Sequence, residues 1–301
     1  MVGAKGFEPS TLWSQTRCAT RLRYAPTTGI LPARITRLSA SDTVAGMRSN
    51  SGSRLIWLES GAQFPPVERA WGEGSGAAGL LAAGGALDVA SLLAAYRQGI
   101  FPWFGEGQPI LWWSPDPRMV LQLVNFRLHD SLRKTLRKFQ RDTACEIRVD
   151  SAFATVLAAC AALRDGTGGG TWIVPDMQQA YTQLHHAGFA HSVETWIDGT
   201  MVGGLYCVSI GKAVFGESMF SLRTDSSKIA LAALACICRE HGITQIDCQQ
   251  NTRHLASFGA AEMSRAEFIA QVQGAVRLPP VHWKFEPLYW QQLLPHWPPA
   301  Q

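Results

Sequence analysis

Between residues 190 and 221 the sequence adopts a period of two and holds it through three consecutive segments, AHSVETWI (190–197), TMVGGLYCVSI (200–210) and AVFGESMFS (213–221). The links between them are the dipeptides Asp198-Gly199 and Gly211-Lys212. Alternating β-branched and aromatic residues separated by two-residue links with glycine form antiparallel hairpins, because such links accept the positive φ angles that match strand twist. The segment therefore predicts a three-stranded meander as the core of a sheet. An apolar helix from about residue 226 to 240 follows, and then a further short strand, ITQIDCQ (243–249).

Two of these strands carry polar residues where an apolar one is expected. Glu217 interrupts AVFGESMFS, and Asp247 and Gln249 interrupt ITQIDCQ. With strict alternation, Phe215, Glu217 and Met219 share one face, and Asp247 and Gln249 share another. If the strands are neighbours, the three polar groups converge beside an apolar wall. Burying an acid is costly, so Glu217 is either a carboxylate satisfied for structural reasons or a functional group, raised in pKa or held ionised by its partners. Gln249 is not a base near neutrality, but its amide carbonyl can orient an amine. Asp247 is placed to fix that amide or to accept charge. Cys248 faces the other way and reads as packing.

Elsewhere the chain reads as helices and loops with two further short strands, RLIWL (54–58) and CEIRV (145–149). Asp88 predicts an N-cap for VASLLAAYRQ, which Gly99 ends; Asp150 predicts a cap for SAFATVLAACAAL; Pro175 and Asp176 open a helix closed by Gly188; and Ser264-x-x-Glu267 forms a capping box. The stretch IFPWFGEGQPILWWSPDPR sets Trp103, Trp112 and Trp113 among four prolines and two glycines, which rules out a long regular element. Such a loop is either a packed junction or a stacking platform for a ring-shaped ligand. Residues 127–141 put Leu132, Leu136 and Phe139 on one helical face and Arg133, Lys134, Arg137, Lys138 and Arg141 on the other. That basic face is the best candidate in the chain for phosphate contacts.

The formal charge of +4 resides wholly in residues 1–46, where six basic residues stand against two acidic ones. This stretch is Arg- and Ser-rich and lacks a regular period; it reads as a disordered leader or a mis-assigned start, with Met47 as the first residue. The seven cysteines are scattered, without C-x-x-C or metal-ligand His spacing, which points to a reducing compartment and no metal. The apolar run IALAALACIC has about half the length a membrane span requires. Neither a P-loop, a dinucleotide fingerprint nor a G-x-S-x-G frame around Ser218 is present, so any chemistry uses an activated substrate supplied ready-made, without a cofactor.

In order along the chain, GLLAAGG, YRQGIFPWF, PILWWSPDPR, GTWI, HSVETW, VGGLYCV, FGESMFS, IDCQ and HLASFGA resemble the bacterial leucyl/phenylalanyl-tRNA-protein transferases over roughly residues 54–285. The resemblance implies an α+β fold with a small N-terminal α/β domain (47–117) and an acetyltransferase-like (GNAT) domain (118–290) whose mainly antiparallel sheet is flanked by helices. Residues 291–301 would form an irregular tail. It implies an enzyme that moves Leu or Phe, with Met as a further candidate, from charged tRNA to acceptor proteins beginning with Arg or Lys, without the ribosome, feeding the N-degron pathway. Glu217, Asp247 and Gln249 would orient amine and ester, and Trp103 and Trp172 would embrace the terminal adenosine. Leu205, Met219, Leu231, Leu234 and Ile246 are candidates for the side-chain pocket, and the basic helix would meet tRNA phosphates. The expected partners are leucyl-tRNA, phenylalanyl-tRNA and the acceptor protein, with no membrane, for a cytoplasmic monomer. The rival classes are an acyl-CoA-dependent N-acetyltransferase, which would want a phosphate-cradling loop absent here, and a non-catalytic tRNA-binding module.

Overall fold

The computed structural model describes residues 54–165 and 173–294; the expected leader, the Gly168-Gly169-Gly170 run, Trp172 and most of the expected tail lie outside the described residues. The described chain forms two sheets. The first has four short strands, β1 (Ile56–Leu58), β2 (Leu80–Gly84), β3 (Phe101–Pro102) and β4 (Leu111–Trp113), in the order β1-β2-β4-β3. Helix α1 (Val89–Tyr96) follows β2; the Asp88 carboxylate accepts from Ser91 N at 2.7 Å, as an N-cap should, and Gly99 ends the segment at φ 71°. Two of the tryptophans in the proline-rich loop serve this sheet. Trp112 is fully buried and donates Nε1–H to Gly84 O at 2.8 Å, and Trp113 donates to Trp103 O at 2.7 Å.

The chain then enters a seven-stranded sheet with the order β11-β5-β10-β9-β8-β7-β6. Its strands are β5 (Arg118–Gln122), β6 (Cys145–Val149), β7 (Ala190–Ile197), β8 (Thr200–Ile210), β9 (Ala213–Ser221), β10 (Gln245–Gln249) and β11 (Ala261–Met263). The meander β7-β8-β9 spans the expected residues, with Asp198 and Gly199 both at positive φ in the first turn. Among the described pairings of this sheet, β9 with β10 is parallel and the others are antiparallel. The architecture is thus α+β with a mainly antiparallel sheet flanked by helices.

Side chains of the meander divide between two cores. On one face, Tyr206, Val208 and Phe215 pack with α3 (Phe153–Asp165), α4 (Pro175–His186) and α7 (Arg265–Ala275). On the other, Leu205, Cys207 and Val214 pack with α2 (Asp130–Arg141) and α5 (Ser226–Glu240), together with Leu255 of the short α6 (Arg253–Ser257). The apolar face of α2 is the expected one, with Leu132, Leu136 and Phe139 all buried. Helix α5 approaches β8 closely: a Cβ on Gly203 would lie 2.3 Å from Ser226 Oγ. That hydroxyl donates to Val202 O at 2.8 Å, so the start of the helix is tied to the strand it overlies.

Two expectations fail. Asp150 does not cap α3. It takes φ 56° and accepts from Ser192 N at 2.7 Å while pairing with His191 Nδ1 at 2.7 Å. The start of α3 is held instead by Glu194, reaching from β7: its carboxylate is fully buried and accepts from Ala152 N (2.8 Å), Ser192 Oγ (2.8 Å), Trp196 Nε1 (2.9 Å) and Ser151 Oγ. A carboxylate with four donors outcompetes a local cap that lacks them. Nor do Phe215 and Met219 share a face. Register in the β8–β9 pair runs Tyr206↔Ser218 and then Cys207↔Gly216, which leaves Glu217 as an extra residue in a bulge. The bulge reverses the alternation, so Phe215 joins Phe220 in one core and Met219 joins Val214 in the other.

The close approach at Gly203 yields a direct test. Gly203→Ala should destabilise the protein by about 1–3 kcal/mol through overpacking against Ser226, measured by chemical denaturation; an unchanged midpoint would mean that α5 does not sit where described.

Candidate active site

Strands β9 and β10 pair over only two positions, Ile246↔Val214 and Asp247↔Phe215. Beyond them the strands part, and the gap opens into a narrow apolar cleft of about 20 Å³. Its walls include Gly216, Glu217, Ser218 and Met219 from β9 and Ile246, Asp247 and Cys248 from β10, closed by Leu205, Leu231, Leu234 and Leu255. All five residues expected to form a side-chain pocket, Leu205, Met219, Leu231, Leu234 and Ile246, line it. Leu255 and Cys248 add to the wall; Cys248 is buried, and burial pushes its thiol well above the ordinary range.

Glu217 stands at the edge of this cleft and is 2% exposed. Because it occupies the bulge, its carboxylate turns toward two tyrosines from different helices. Tyr96 of α1 donates to Oε1 at 2.7 Å and Tyr181 of α4 donates to Oε2 at 3.2 Å, while the two hydroxyls lie 2.6 Å apart. Burial raises the carboxyl from the ordinary 4.5 to about 7, against the opposing pull of the Tyr96 hydrogen bond; nearby Asp247 raises it and Arg118 lowers it. Both phenols are pushed well above their usual range, first by burial and then by the Glu217 charge, so they remain donors near neutrality.

Asp247 is held differently. Arg118, the first residue of β5, donates Nε–H to Oδ1 at 2.8 Å and a terminal N–H to Oδ2 at 2.6 Å, a bidentate pair with both side chains essentially out of water. Oδ1 also accepts the backbone N–H of Gln249 at 2.9 Å. Gln249 is fully buried and takes φ 58°, where the register with β5 slips by one residue. The alternation expected between Asp247 and Gln249 therefore breaks at Cys248. Of the three polar residues, Asp247 accepts from Arg118 and Gln249, whereas Glu217 accepts, among the described residues, from neutral hydroxyls.

Trp103 is half-buried with its ring 5.2 Å from that of Trp113; Trp172 lies outside the described residues. On α2, Lys134, Arg137, Lys138 and Arg141 line one open groove, on the same face of the sheet as the cleft. Arg133 is set apart from them: it donates to Leu128 O at 3.3 Å and sits 3.8 Å from Asp130. Sequence reasoning did not single out Tyr96, Tyr181 or Arg118. Each is distant in the chain from the carboxylate it serves, and the one available signal was a charged residue, Arg118, opening an otherwise apolar strand. Among the described residues no group of three or more His, Cys, Asp and Glu is placed to hold a metal ion, and no helix is long and apolar enough to cross a membrane.

Comparison with known proteins adds an independent line. Residues 120–273 match the family described as leucyl/phenylalanyl-tRNA protein transferase, and residues 85–116 match its N-terminal domain. A leucyl/phenylalanyl-tRNA--protein transferase of Polaromonas sp. is 61% identical over 79% of this chain and 93% of its own. Those of Albidiferax ferrireducens and Paraburkholderia phytofirmans are 59% and 57% identical, over 80% and 76% of this chain and 94% of each relative. Among solved structures, an aminoglycoside N-acetyltransferase in complex with CoA is 15% identical, with a TM-score of 0.27, over 47% of this chain and 92% of its own.

The raised Glu217 carboxyl gives a signed pH dependence. Because its folded value lies above the unfolded one, the folded state holds the proton more tightly, so this group's contribution is full below about 4.5 and is lost as pH rises through about 7. The loss corresponds to about 3 kcal/mol. Glu217→Gln, which keeps the shape without the charge, should flatten the stability profile between pH 5 and 8, measured by urea denaturation across that range; an unchanged slope would show that Glu217 does not titrate there.

Proposed function

The chain belongs to the leucyl/phenylalanyl-tRNA protein transferase family and is an aminoacyltransferase, and from that premise we propose that it forms a peptide bond between Leu or Phe carried by tRNA and the N-terminal Arg or Lys of an acceptor protein. The observation that carries this reading is the apolar cleft at the parting of β9 and β10, with the buried Glu217 in its wall. The apolar wall formed by Leu205, Met219, Leu231, Leu234 and Ile246 matches the chemistry of a leucyl or phenylalanyl side chain, which would enter as the walls of the narrow cleft move apart. The same five residues would admit Met, which is unbranched and of similar size.

The reaction asks little of acid–base catalysis. The α-amine nitrogen attacks the ester carbonyl carbon, the C–N bond forms, the C–O bond to the terminal ribose breaks, and the amine proton passes to the departing ribose oxygen. The ester is already activated, and an α-amine with a pKa near 8 is partly neutral at pH 7. What the protein must supply is alignment, and well-oriented reactants gain effective molarities worth roughly 7–11 kcal/mol. Glu217 faces the acceptor amine and Gln249 orients it by its side-chain carbonyl, while Asp247 holds Gln249. Trp103 and Trp172 stack on the terminal adenosine. Lys134, Arg137, Lys138 and Arg141 meet phosphates of the acceptor stem without reading its sequence, with Arg133 at the margin. Residues 47–117 form the small N-terminal domain and 118–290 the catalytic domain. The product, an acceptor with a new N-terminal Leu or Phe, would enter the N-degron pathway, and the protein would act as a cytoplasmic monomer.

Incubating the protein with radiolabelled leucyl-tRNA and an acceptor bearing N-terminal Arg should move label into the acceptor, while labelled acetyl-CoA should not; the reverse outcome would identify an acetyltransferase, and transfer from neither donor a binding module. Glu217→Ala should reduce transfer by about 100-fold or more with the fold intact by circular dichroism. Replacing Lys134, Arg137, Lys138 and Arg141 together by Ala should weaken binding of all tRNAs alike and lower the salt slope of log K by roughly 0.7–0.9 for each phosphate the helix no longer neutralises. An unchanged slope would place tRNA elsewhere.

A further inference from the structure

We infer that Arg118 is a positioning residue of the transfer site, acting through Asp247 to hold Gln249 in its reactive orientation. The inference rests on the function proposed above and adds a residue to it.

Each of the three nitrogens of the Arg118 guanidinium makes a hydrogen bond. It is 0% exposed, with Nε and one terminal nitrogen on Asp247, the other terminal nitrogen donating to Gly99 O at 3.1 Å, and its central carbon 4.8 Å and 4.6 Å from the ring centroids of Phe101 and Phe268. The two rings set the plane of the fork, and the Gly99 carbonyl sets its rotation within that plane. Only one position of the Asp247 carboxylate then satisfies both bonds. From that position Oδ1 reaches the backbone N–H of Gln249 at 2.9 Å. Gln249 needs such a restraint, because a non-glycine residue at φ 58° is strained and relaxes unless its surroundings oppose it. Relaxation to negative φ would rotate the Gln249 side chain away from its present course.

The connection also crosses the molecule. Gly99 and Phe101 belong to the first sheet and its approach, Phe268 to α7, Arg118 to β5 and Asp247 to β10. A buried ion pair that served stability alone would be matched by apolar residues of the same volume. Here the pair instead ends on the backbone of a residue in the site, one residue from the cleft wall at Cys248. Lysine is no substitute, since a point charge lacks the in-plane fork that fixes the carboxylate.

The experiment measures kcat and KM for leucyl-tRNA in wild type, Arg118→Lys, Asp247→Asn and the double variant, each corrected for its folded fraction by thermal melting. Arg118→Lys and Asp247→Asn should each lower kcat about 10- to 100-fold with KM for leucyl-tRNA within about twofold, and the double variant should lose no more than the worse single one. A wild-type kcat in folded Arg118→Lys, or losses that multiply in the double variant, would overturn the inference. Should Arg118→Lys fail to fold, Asp247→Asn decides alone, since wild-type turnover there would show the transmitting carboxylate to be dispensable. Absence of transfer by the wild type would remove the proposed function and this inference with it, whereas wild-type transfer with indifferent variants removes the inference only.

Discussion

Two carboxylates lie almost out of water on either side of the parallel junction of the large sheet, Glu217 at 2% and Asp247 at 1% exposure. Burial of an uncompensated carboxylate costs several kcal/mol, more than any single apolar contact returns. The rest of the arrangement follows from that cost. Helix α1 must bring Tyr96 and α4 must bring Tyr181 to Glu217, and β5 must begin with a residue that can neutralise Asp247. Elements from both sheets thus meet at one place, which makes the site one of the points where the small N-terminal part and the large sheet are joined.

The two carboxylates are satisfied in unlike ways, and the difference separates their roles. Asp247 is matched by a full opposite charge in fork geometry and accepts three hydrogen bonds. Glu217 receives only neutral hydroxyls, and burial leaves its carboxyl near 7. A group so balanced would gain from a cation brought beside it, and in the proposed reaction the side chain of an N-terminal Arg or Lys would supply one. The bulge at Glu217 and the slip at Gln249 serve the same end: each departs from regular pairing by one residue, and each turns a polar side chain where strict alternation would not.

Much of this is legible in the chain itself. The meander β7-β8-β9, the Asp88 cap and the two faces of α2 follow from local rules of period, turn and cap, whereas the five apolar residues of the cleft are candidates only through the family resemblance. What escapes those rules are features that depend on residues far apart in sequence. Alternation cannot reveal an extra residue, so it puts Phe215 and Met219 on one face where the bulge divides them. Asp150 has the right residue type for a cap, but Glu194 from β7 brings more donors within reach. Strand β2 is buried along its whole length and shows no alternation, and β11 is too short to declare itself. Tyr96, Tyr181 and Arg118 become visible only once the fold has set them against their carboxylates.

The most direct measurement is a crystal structure of the protein with an adenosine whose ribose carries leucine through a stable amide in place of the ester. The leucyl side chain should fill the cleft among Leu205, Met219, Leu231, Leu234 and Ile246, with the amide carbonyl beside Glu217 and Gln249. A leucyl group bound away from the parting of β9 and β10, with that cleft unfilled, would contradict the assignment of the site.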